Sequence, residues 1–157
     1  MKIRLATIND IPECVELGRQ FHAFTRFREY KFNPDRLSKS LAAVVNDRGG
    51  NYVFFVAEDS QGVLVGALIA GLQRHFFSDK VYASIVHYDV LPDKRMSGAG
   101  LRLMRAFQSW SKGKNVFELC AGVNSGTNID VLDQYFSKLG FQKIGGNYAL
   151  KLKKHEP

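Results

Sequence analysis

Residues 90–101 carry the strongest local signal in the sequence and read Val90-Leu91-Pro92-Asp93-Lys94-Arg95-Met96-Ser97-Gly98-Ala99-Gly100-Leu101. The residues before it are rich in β-branched and aromatic side chains and predict a strand that Pro92 ends. After it, Leu103, Phe107 and Trp110 recur at helical spacing, which predicts an amphipathic helix. A strand, a basic glycine-containing turn and a helix therefore follow one another.

This turn has the chemistry of a diphosphate site. The first N–H groups of a helix have no partner within the helix, and the helix dipole makes that end positive. Gly98 and Gly100 let a bulky anion approach the backbone, while Lys94 and Arg95 add positive charge. Neither the G-x-G-x-x-G pattern of dinucleotide-binding folds nor the G-K-[ST] pattern of NTPases is present. Taken alone, the segment is equally compatible with an ordinary glycine turn before a helix.

Working outward from the turn, hydrophobic periodicity predicts helices and strands around one sheet. The predicted strands are 2–6, 52–57, 63–72, 81–91, 116–123 and 141–151, the last interrupted at Gly145-Gly146. The predicted helices are 10–22, 34–46, 98–112 and 128–139, with Gly140 placed to end the last one. Because the chain has 157 residues and no repeat or linker, we expect one α/β domain over 1–157.

The composition is that of an ordinary globular protein, with 45% hydrophobic and 24% charged residues. The net charge of +7 favours an anionic partner such as nucleic acid, an acidic protein or a nucleotide-like cofactor. No RNP or helix-turn-helix signature supports nucleic acid, so that partner is not expected. Cys14 and Cys120 form no metal-binding or disulfide pattern, so no metal is expected. Since no long apolar run is present, we expect no membrane contact and a cytoplasmic location.

Three stretches together resemble the GNAT superfamily of acyl-CoA-dependent N-acetyltransferases. Residues 95–100 have the pattern R-x-x-G-x-G, which is similar to that family's [QR]-x-x-G-x-[GA] loop. Residues 3–11 look like its opening strand and first helix start, and residues 135–141 look like the end of its last helix. The resemblance implies a single GNAT-like domain, with a mixed, mostly antiparallel sheet flanked by helices on both faces.

The resemblance also implies acetyl-CoA as the cofactor. The backbone at Val90 and Leu91 would face its pantetheine arm, and Asn128 would contact the same arm, with Asn124 as the alternative. Either asparagine is also explained as a helix cap or turn residue. The residues implied to hold the pyrophosphate are Arg95, Met96, Ser97, Gly98, Ala99, Gly100 and Leu101.

For catalysis, the resemblance implies a base on the strand before the loop, eleven residues before Arg95, and Ser84 occupies that position. Strict alternation puts Tyr88 on the face of Ser84, with His87 and Asp89 on the opposite face. Two alternatives then stay open for moving the proton: a bulge near the strand end that re-aims Asp89, or a water chain held by Ser84 and Tyr88. Ser84 is also compatible with a simple sheet position.

The acid of the family is commonly a tyrosine on the last helix, four residues before the Gly of the Gly-Phe pair. Phe136 occupies that position, while Tyr135 lies seven residues after Asn128, the other spacing of the family. The resemblance therefore implies Tyr135 as the acid, and a packing tyrosine is the alternative.

These observations predict an enzyme that moves an acetyl group from acetyl-CoA to an amine by direct attack in a ternary complex. The alternative is a non-catalytic module that binds CoA or nucleic acid on the same scaffold. The acceptor, a small-molecule or peptide amine, is not identified.

In the family, the region that corresponds to residues 22–30 often forms a wall of the acceptor pocket. Its aromatic and basic residues would suit an acidic or aromatic acceptor, although they also suit a loop packed on the sheet. The family often dimerises, which leaves a homodimer open.

Overall fold

The computed structural model describes residues 1–152 of the chain. Residues 153–157, the end of the predicted domain, lie outside the described part. The chain divides into two compact units, Met1–Ala121 and Gly122–Pro157. Each unit is described by itself below, and the prediction of one domain over 1–157 stays a prediction.

The first unit holds five strands and three α-helices. The strands are β1 (Lys2–Leu5), β2 (Tyr52–Glu58), β3 (Leu64–Arg74), β4 (Val81–Val90) and β5 (Glu118–Cys120). The helices are α1 (Ile11–Phe24), α2 (Pro34–Val45) and α3 (Ala99–Gly113), and 3-10 segments cover Ile8–Asp10, Arg26–Glu29 and Pro92–Ser97.

The five strands form one sheet in the order β1-β2-β3-β4-β5. The pairs from β1 to β4 are antiparallel, and β5 pairs with β4 in parallel. Because antiparallel neighbours need only short connections, β2, β3 and β4 follow one another directly along the chain. The predicted mixed, mostly antiparallel sheet is confirmed.

Helices cover both faces of this sheet. On one face, Ile11 and Cys14 of α1 and Leu41 of α2 pack with inward-facing residues of β2 and β3. On the other face lies α3, whose Leu103 and Phe107 are fully buried. The helices on both faces of the sheet, which the family resemblance implied, are therefore confirmed.

Within residues 122–152, the described part of the second unit, the chain forms one helix, α4 (Ile129–Lys138). Gly140 follows it with φ +90°, the left-handed conformation expected of a glycine that ends a helix. Lys143 pairs with Asp133 at 2.9 Å, and the Asn147 amide donates to the Val123 carbonyl at 2.8 Å.

The predicted strand over 141–151 is wrong, because residues 141–152 form no regular element. Alternation of apolar residues predicts a strand, but a strand also needs a neighbour for its N–H and C=O groups. No strand pairs with this segment in the described part of the chain, and Ile144 and Tyr148 are exposed. The strand predicted over 116–123 is confirmed only as the shorter β5.

A charged network ties β1 to the start of α1. The Arg4 guanidinium donates two hydrogen bonds of 2.8 Å to the Asp10 carboxylate and one of 2.7 Å to Glu58. Asp10 also accepts from the N–H and hydroxyl groups of Thr7. These hydrogen bonds hold the pKa of the Asp10 carboxyl well below its usual range.

Replacing Asp10 with asparagine is expected to lower the free energy of unfolding at pH 7 by about 2–4 kcal/mol, because it leaves Arg4 underpaired in a part-buried site. A carboxyl whose pKa is lowered by folding stabilises the fold above its unfolded pKa, and this contribution is lost as pH falls. The difference between wild type and variant should therefore shrink below about pH 4. Urea denaturation of both proteins at pH 7 and below about pH 4 measures this difference in the free energy of unfolding.

The matched control is Glu16→Gln, which removes a surface ion pair with Arg19 whose side chains are 58% and 50% exposed. Such a pair contributes less than about 1 kcal/mol. Equal destabilisation by the two substitutions would contradict the role assigned to the Asp10 network.

Candidate functional site: an open strand edge beside a glycine turn

Strand β4 carries a bulge that sets which side chains share a face. His87 lies opposite Ile69, but Ile85 lies opposite the next residue of β3, Ala70. Val86 is therefore an extra residue with no partner in β3, and it is exposed. A bulge of this kind reverses the alternation of side chains along the strand.

The bulge corrects the predicted faces. Ser84, His87 and Asp89 lie opposite Gly71, Ile69 and Ala67, so all three share the face that α1 and α2 cover. Tyr88 and Val90 lie on the α3 face instead. Ser84 and Tyr88 therefore do not share a face, and the predicted water chain between them is wrong. A bulge that re-aims Asp89 was one of the two alternatives left open by the sequence, and its position becomes visible only when the cross-strand pairing is known.

Beyond the bulge, one edge of β4 is open. β5 pairs with β4 only over Tyr82–Ser84, and no strand in the described part of the chain pairs with this edge after Ser84. The Leu91 N–H donates to the Val65 carbonyl at 2.9 Å, so Leu91 faces β3. Since the direction of main-chain groups alternates along a strand, Val90 and Tyr88 direct theirs toward the open edge.

This alternation separates two predicted cofactor contacts. Val90 directs its main chain toward the open edge, where its carbonyl accepts from Nε of Arg95 at 3.4 Å and its N–H donates to the Asp89 carboxylate. Leu91 uses its N–H on Val65, and its carbonyl accepts from the Lys94 N–H at 2.8 Å. Both main-chain groups of Leu91 are thus engaged within the chain. The residue that directs its main chain to the open edge together with Val90 is Tyr88, not Leu91.

The turn between β4 and α3 has the geometry that its glycines suggest. The 3-10 segment ends at Ser97, and Gly98 then adopts φ +82°, ψ 2° before α3 begins at Ala99. The Ser97 hydroxyl accepts from the Ala99 N–H at 3.3 Å. A Cβ built on Gly98 would meet no atom within 4 Å, so the first turn of α3 opens onto empty space. Arg95 and Met96 are exposed beside it.

Gly100 has a different requirement from Gly98. A Cβ at Gly100 would lie 2.7 Å from the Tyr88 hydroxyl and 3.7 Å from a methyl group of Val90. The glycine therefore lets the first turn of α3 approach the end of β4 closely. Together, the open space at Gly98 and this close packing bring helix N–H groups beside the open edge, an arrangement that fits a phosphate-bearing ligand.

Two titratable side chains stand on the α1 face of β4. Burial raises the pKa of the Asp89 carboxyl to about 6, and the positive charge of Arg95 opposes that rise. Burial lowers the pKa of the His87 imidazole to about 4, so this ring is neutral at pH 7. The His87 ring meets the Phe21 ring of α1 edge-on, with centroids 4.9 Å apart.

In the second unit, Asn128 precedes α4 in a left-handed conformation with φ 52°, and its side chain makes no cap hydrogen bond. The Tyr135 ring packs edge-on against Phe136 at 5.5 Å, and Phe136 packs in the same way against Phe141 at 5.4 Å. The roles predicted for Asn128 and Tyr135 stay predictions.

Neither thiol has the environment of a nucleophile. Cys14 is buried in the core, and burial raises its pKa to about 12. Burial and the Glu118 carboxylate also raise the pKa of Cys120. Among residues 1–152, no three His, Cys, Asp or Glu side chains are grouped to hold a metal ion. No helix in the same range combines the length and hydrophobicity needed to span a bilayer.

The fold and site define a class of α/β protein. In it, two parallel strands, here β4 and β5, pair over only a few residues, and the unpaired end of β4 leads to a glycine turn at the start of a helix, here α3. The family model described as the acetyltransferase (GNAT) family matches residues 16–141, so the chain belongs to the GNAT acetyltransferase family. The resemblance seen in the sequence is thereby confirmed, and family membership supports acetyl transfer in general. No curated protein matches the chain.

Solved structures share the fold of this chain. An aminoglycoside acetyltransferase, meta-AAC0020 from an uncultured soil metagenomic sample, is 27% identical with a TM-score of 0.72, and the alignment covers 97% of this chain and 96% of that one. The aminoglycoside 6'-N-acetyltransferase AAC(6')-IG from Acinetobacter haemolyticus is 15% identical with a TM-score of 0.74, over 98% and 99%. A transcriptional regulator from Bacillus halodurans C-125 is 16% identical with a TM-score of 0.79, over 96% and 99%. The structures from Acinetobacter haemolyticus and Bacillus halodurans show only that the fold is shared with this chain.

Proposed function

We propose that the chain is an N-acetyltransferase that moves an acetyl group from acetyl-CoA to an amine. The observation that carries this proposal is the open edge of β4, which runs toward the left-handed Gly98 turn at the start of α3. One end of this arrangement suits a diphosphate, and the edge suits an extended arm that pairs with a strand. Acetyl-CoA combines these two chemistries.

The residues present fit that ligand. The pyrophosphate would be held by N–H groups at the start of α3, with positive charge from Arg95 and Lys94. The first turn, residues 99–102, carries no acidic side chain that would repel it. Tyr88 would pair its main-chain groups with the pantetheine arm, and Val90 would do so by exchanging its hydrogen bonds with Arg95 and Asp89 for bonds to the arm. When bound, acetyl-CoA supplies a thioester whose carbonyl carbon an amine can attack, with release of the CoA thiol.

Asp89 is the group we assign to proton removal. Its side chain lies one residue from the Tyr88 main chain, on the α1 face, while Tyr88 points its own side chain to the other face. With a pKa of about 6, the carboxylate is ionised at pH 7 and can accept a proton from an ammonium group. Ser84 lies on the same face, where its hydroxyl would hold a water molecule.

Direct transfer to the amine follows from the state of the thiols. An acyl-enzyme on cysteine needs an ionised thiol, and the raised pKa values of Cys14 and Cys120 keep both thiols protonated at pH 7. Initial rates measured over a grid of acetyl-CoA and amine concentrations should give intersecting double-reciprocal lines. Parallel lines, or an acetylated cysteine found by mass spectrometry, would contradict direct transfer.

Tyr135 is proposed to protonate the departing thiolate. Replacing Tyr135 with phenylalanine keeps the ring contact with Phe136 and removes only the hydroxyl, so kcat should fall about 10- to 100-fold with little change in Kd for CoA. The matched control is Phe136→Leu, which changes its packing neighbour and should leave kcat within about threefold if the protein stays folded. Equal losses in both variants would assign Tyr135 a packing role.

A further inference from the structure

The α1 face of β4 leads into a row of aromatic rings. Phe21 of α1 touches His87, and its ring centroid lies 6.3 Å from that of Phe27. The Phe27 ring lies 6.3 Å from Tyr30, whose side chain is 63% exposed. Phe21, Phe27 and Tyr30, called here the aromatic wall, thus extend from His87, which shares a face of β4 with the candidate base Asp89, toward the exposed Tyr30 side chain.

The aromatic wall is fixed in place by local contacts. Nε2 of His22 lies 2.6 Å from the Tyr30 carbonyl, which ties the end of the 3-10 segment Arg26–Glu29 back to α1. The centroids of the His22 and Phe32 rings lie 5.2 Å apart. The Arg19 guanidinium lies over the Phe32 ring, 4.8 Å from its centroid. Rings held in this way lose little conformational entropy when a ligand packs against them.

The charge around the aromatic wall is positive. Residues 26–31 contain three basic side chains, Arg26, Arg28 and Lys31, against one acidic side chain, Glu29. Arg28 is exposed in the same 3-10 segment as Phe27. A polycationic acceptor would be repelled here, whereas a carboxylate would be attracted.

From this geometry we infer that the acceptor is an amine that carries an aromatic ring and a carboxylate, the chemistry of a free aromatic amino acid. The inference rests on the proposed function. The ring would pack on the aromatic wall, the carboxylate would bind Arg28, and the amine would face Asp89. Aminoglycosides, the polycations named for two of the similar structures, would be poor acceptors for this chain.

A panel of amines tests each element separately. The amines are L-phenylalanine, phenethylamine without the carboxylate, L-leucine without the ring, and spermidine as a polycation. We expect kcat/KM to be highest for L-phenylalanine and at least about 10-fold lower for each of the others, since each lacks a contact. A preference for spermidine over L-phenylalanine would overturn the inference.

Charge reversal identifies the carboxylate contact. Arg28→Glu should raise KM for L-phenylalanine at least about 10-fold and leave phenethylamine within about twofold. Arg36→Glu makes the same change of charge at an exposed residue of α2 and should leave KM for both amines within about twofold. Equal effects of the two reversals would overturn the role of Arg28.

Binding separates this inference from the proposed function. Calorimetry with the CoA-loaded protein measures L-phenylalanine directly, whether or not turnover occurs. If no amine is acetylated but L-phenylalanine binds and Arg28→Glu weakens it, the proposed function fails and the ligand class stands. Binding of L-phenylalanine no tighter than that of L-leucine overturns the ligand class.

Discussion

Replacing Gly98 with valine is expected to weaken CoA binding by at least about 100-fold, which corresponds to roughly 2.7 kcal/mol. Two effects combine. Gly98 has φ +82°, a conformation that a β-branched residue strongly disfavours. Its side chain would also project into the empty space before the first turn of α3, where the pyrophosphate would lie. Calorimetric titration with CoA measures the loss.

The chain offers a matched control in Gly62, in the turn between β2 and β3. Gly62 has φ +80°, and a Cβ there would also meet no atom within 4 Å. Both valine substitutions should therefore cost stability by about 1–2 kcal/mol through backbone strain. Only Gly98→Val should lose CoA binding. Retention of CoA affinity in Gly98→Val, or an equal loss in Gly62→Val, would remove the turn from the binding site.

The second large effect is expected from Asp89→Asn, which keeps the shape of the side chain and removes its basicity. Loss of a general base typically costs about 100- to 1000-fold in kcat, while Kd for CoA should stay nearly constant. A base acts when it is deprotonated, so wild-type kcat/KM should rise with pH through about 6, the pKa of Asp89. The variant should lack this acid limb.

The control for that substitution is Asp79→Asn, the same change at an exposed residue in the turn between β3 and β4. It should leave kcat within about twofold, because an exposed charge far from the reacting groups is screened by solvent. Activity of Asp89→Asn close to the wild-type value, with the acid limb intact, would assign the proton transfer to another group. Ser84 and its water would be tested next.

The sequence predicted what depends on local chemistry. The start of α3 at a glycine turn follows from nearest neighbours, because Pro92 ends a strand and Gly98 permits a left-handed conformation. Helix bounds agree within about two residues for the same reason, since caps and periodicity are local. The order of the layers follows from which faces are apolar.

The sequence did not predict what depends on distant pairing. The bulge at Val86 exists only relative to β3, and it moves Asp89 and His87 to the face of Ser84. Strict alternation left Ser84 with no carboxylate on its face of β4, whereas the bulge places Asp89 on that face. The false strand at 141–151 has the same origin, because an apolar alternation says nothing about whether a partner strand is present.

The most direct test of the account is the amine-dependent release of free thiol from acetyl-CoA by the wild-type protein, measured beside the Kd for CoA in the same buffer. We predict micromolar or tighter CoA binding and a thiol-release rate that saturates with the acceptor amine. Tight CoA binding, with a release rate that no amine raises above hydrolysis, would contradict acetyl transfer. Absence of CoA binding would contradict the assignment of the site itself.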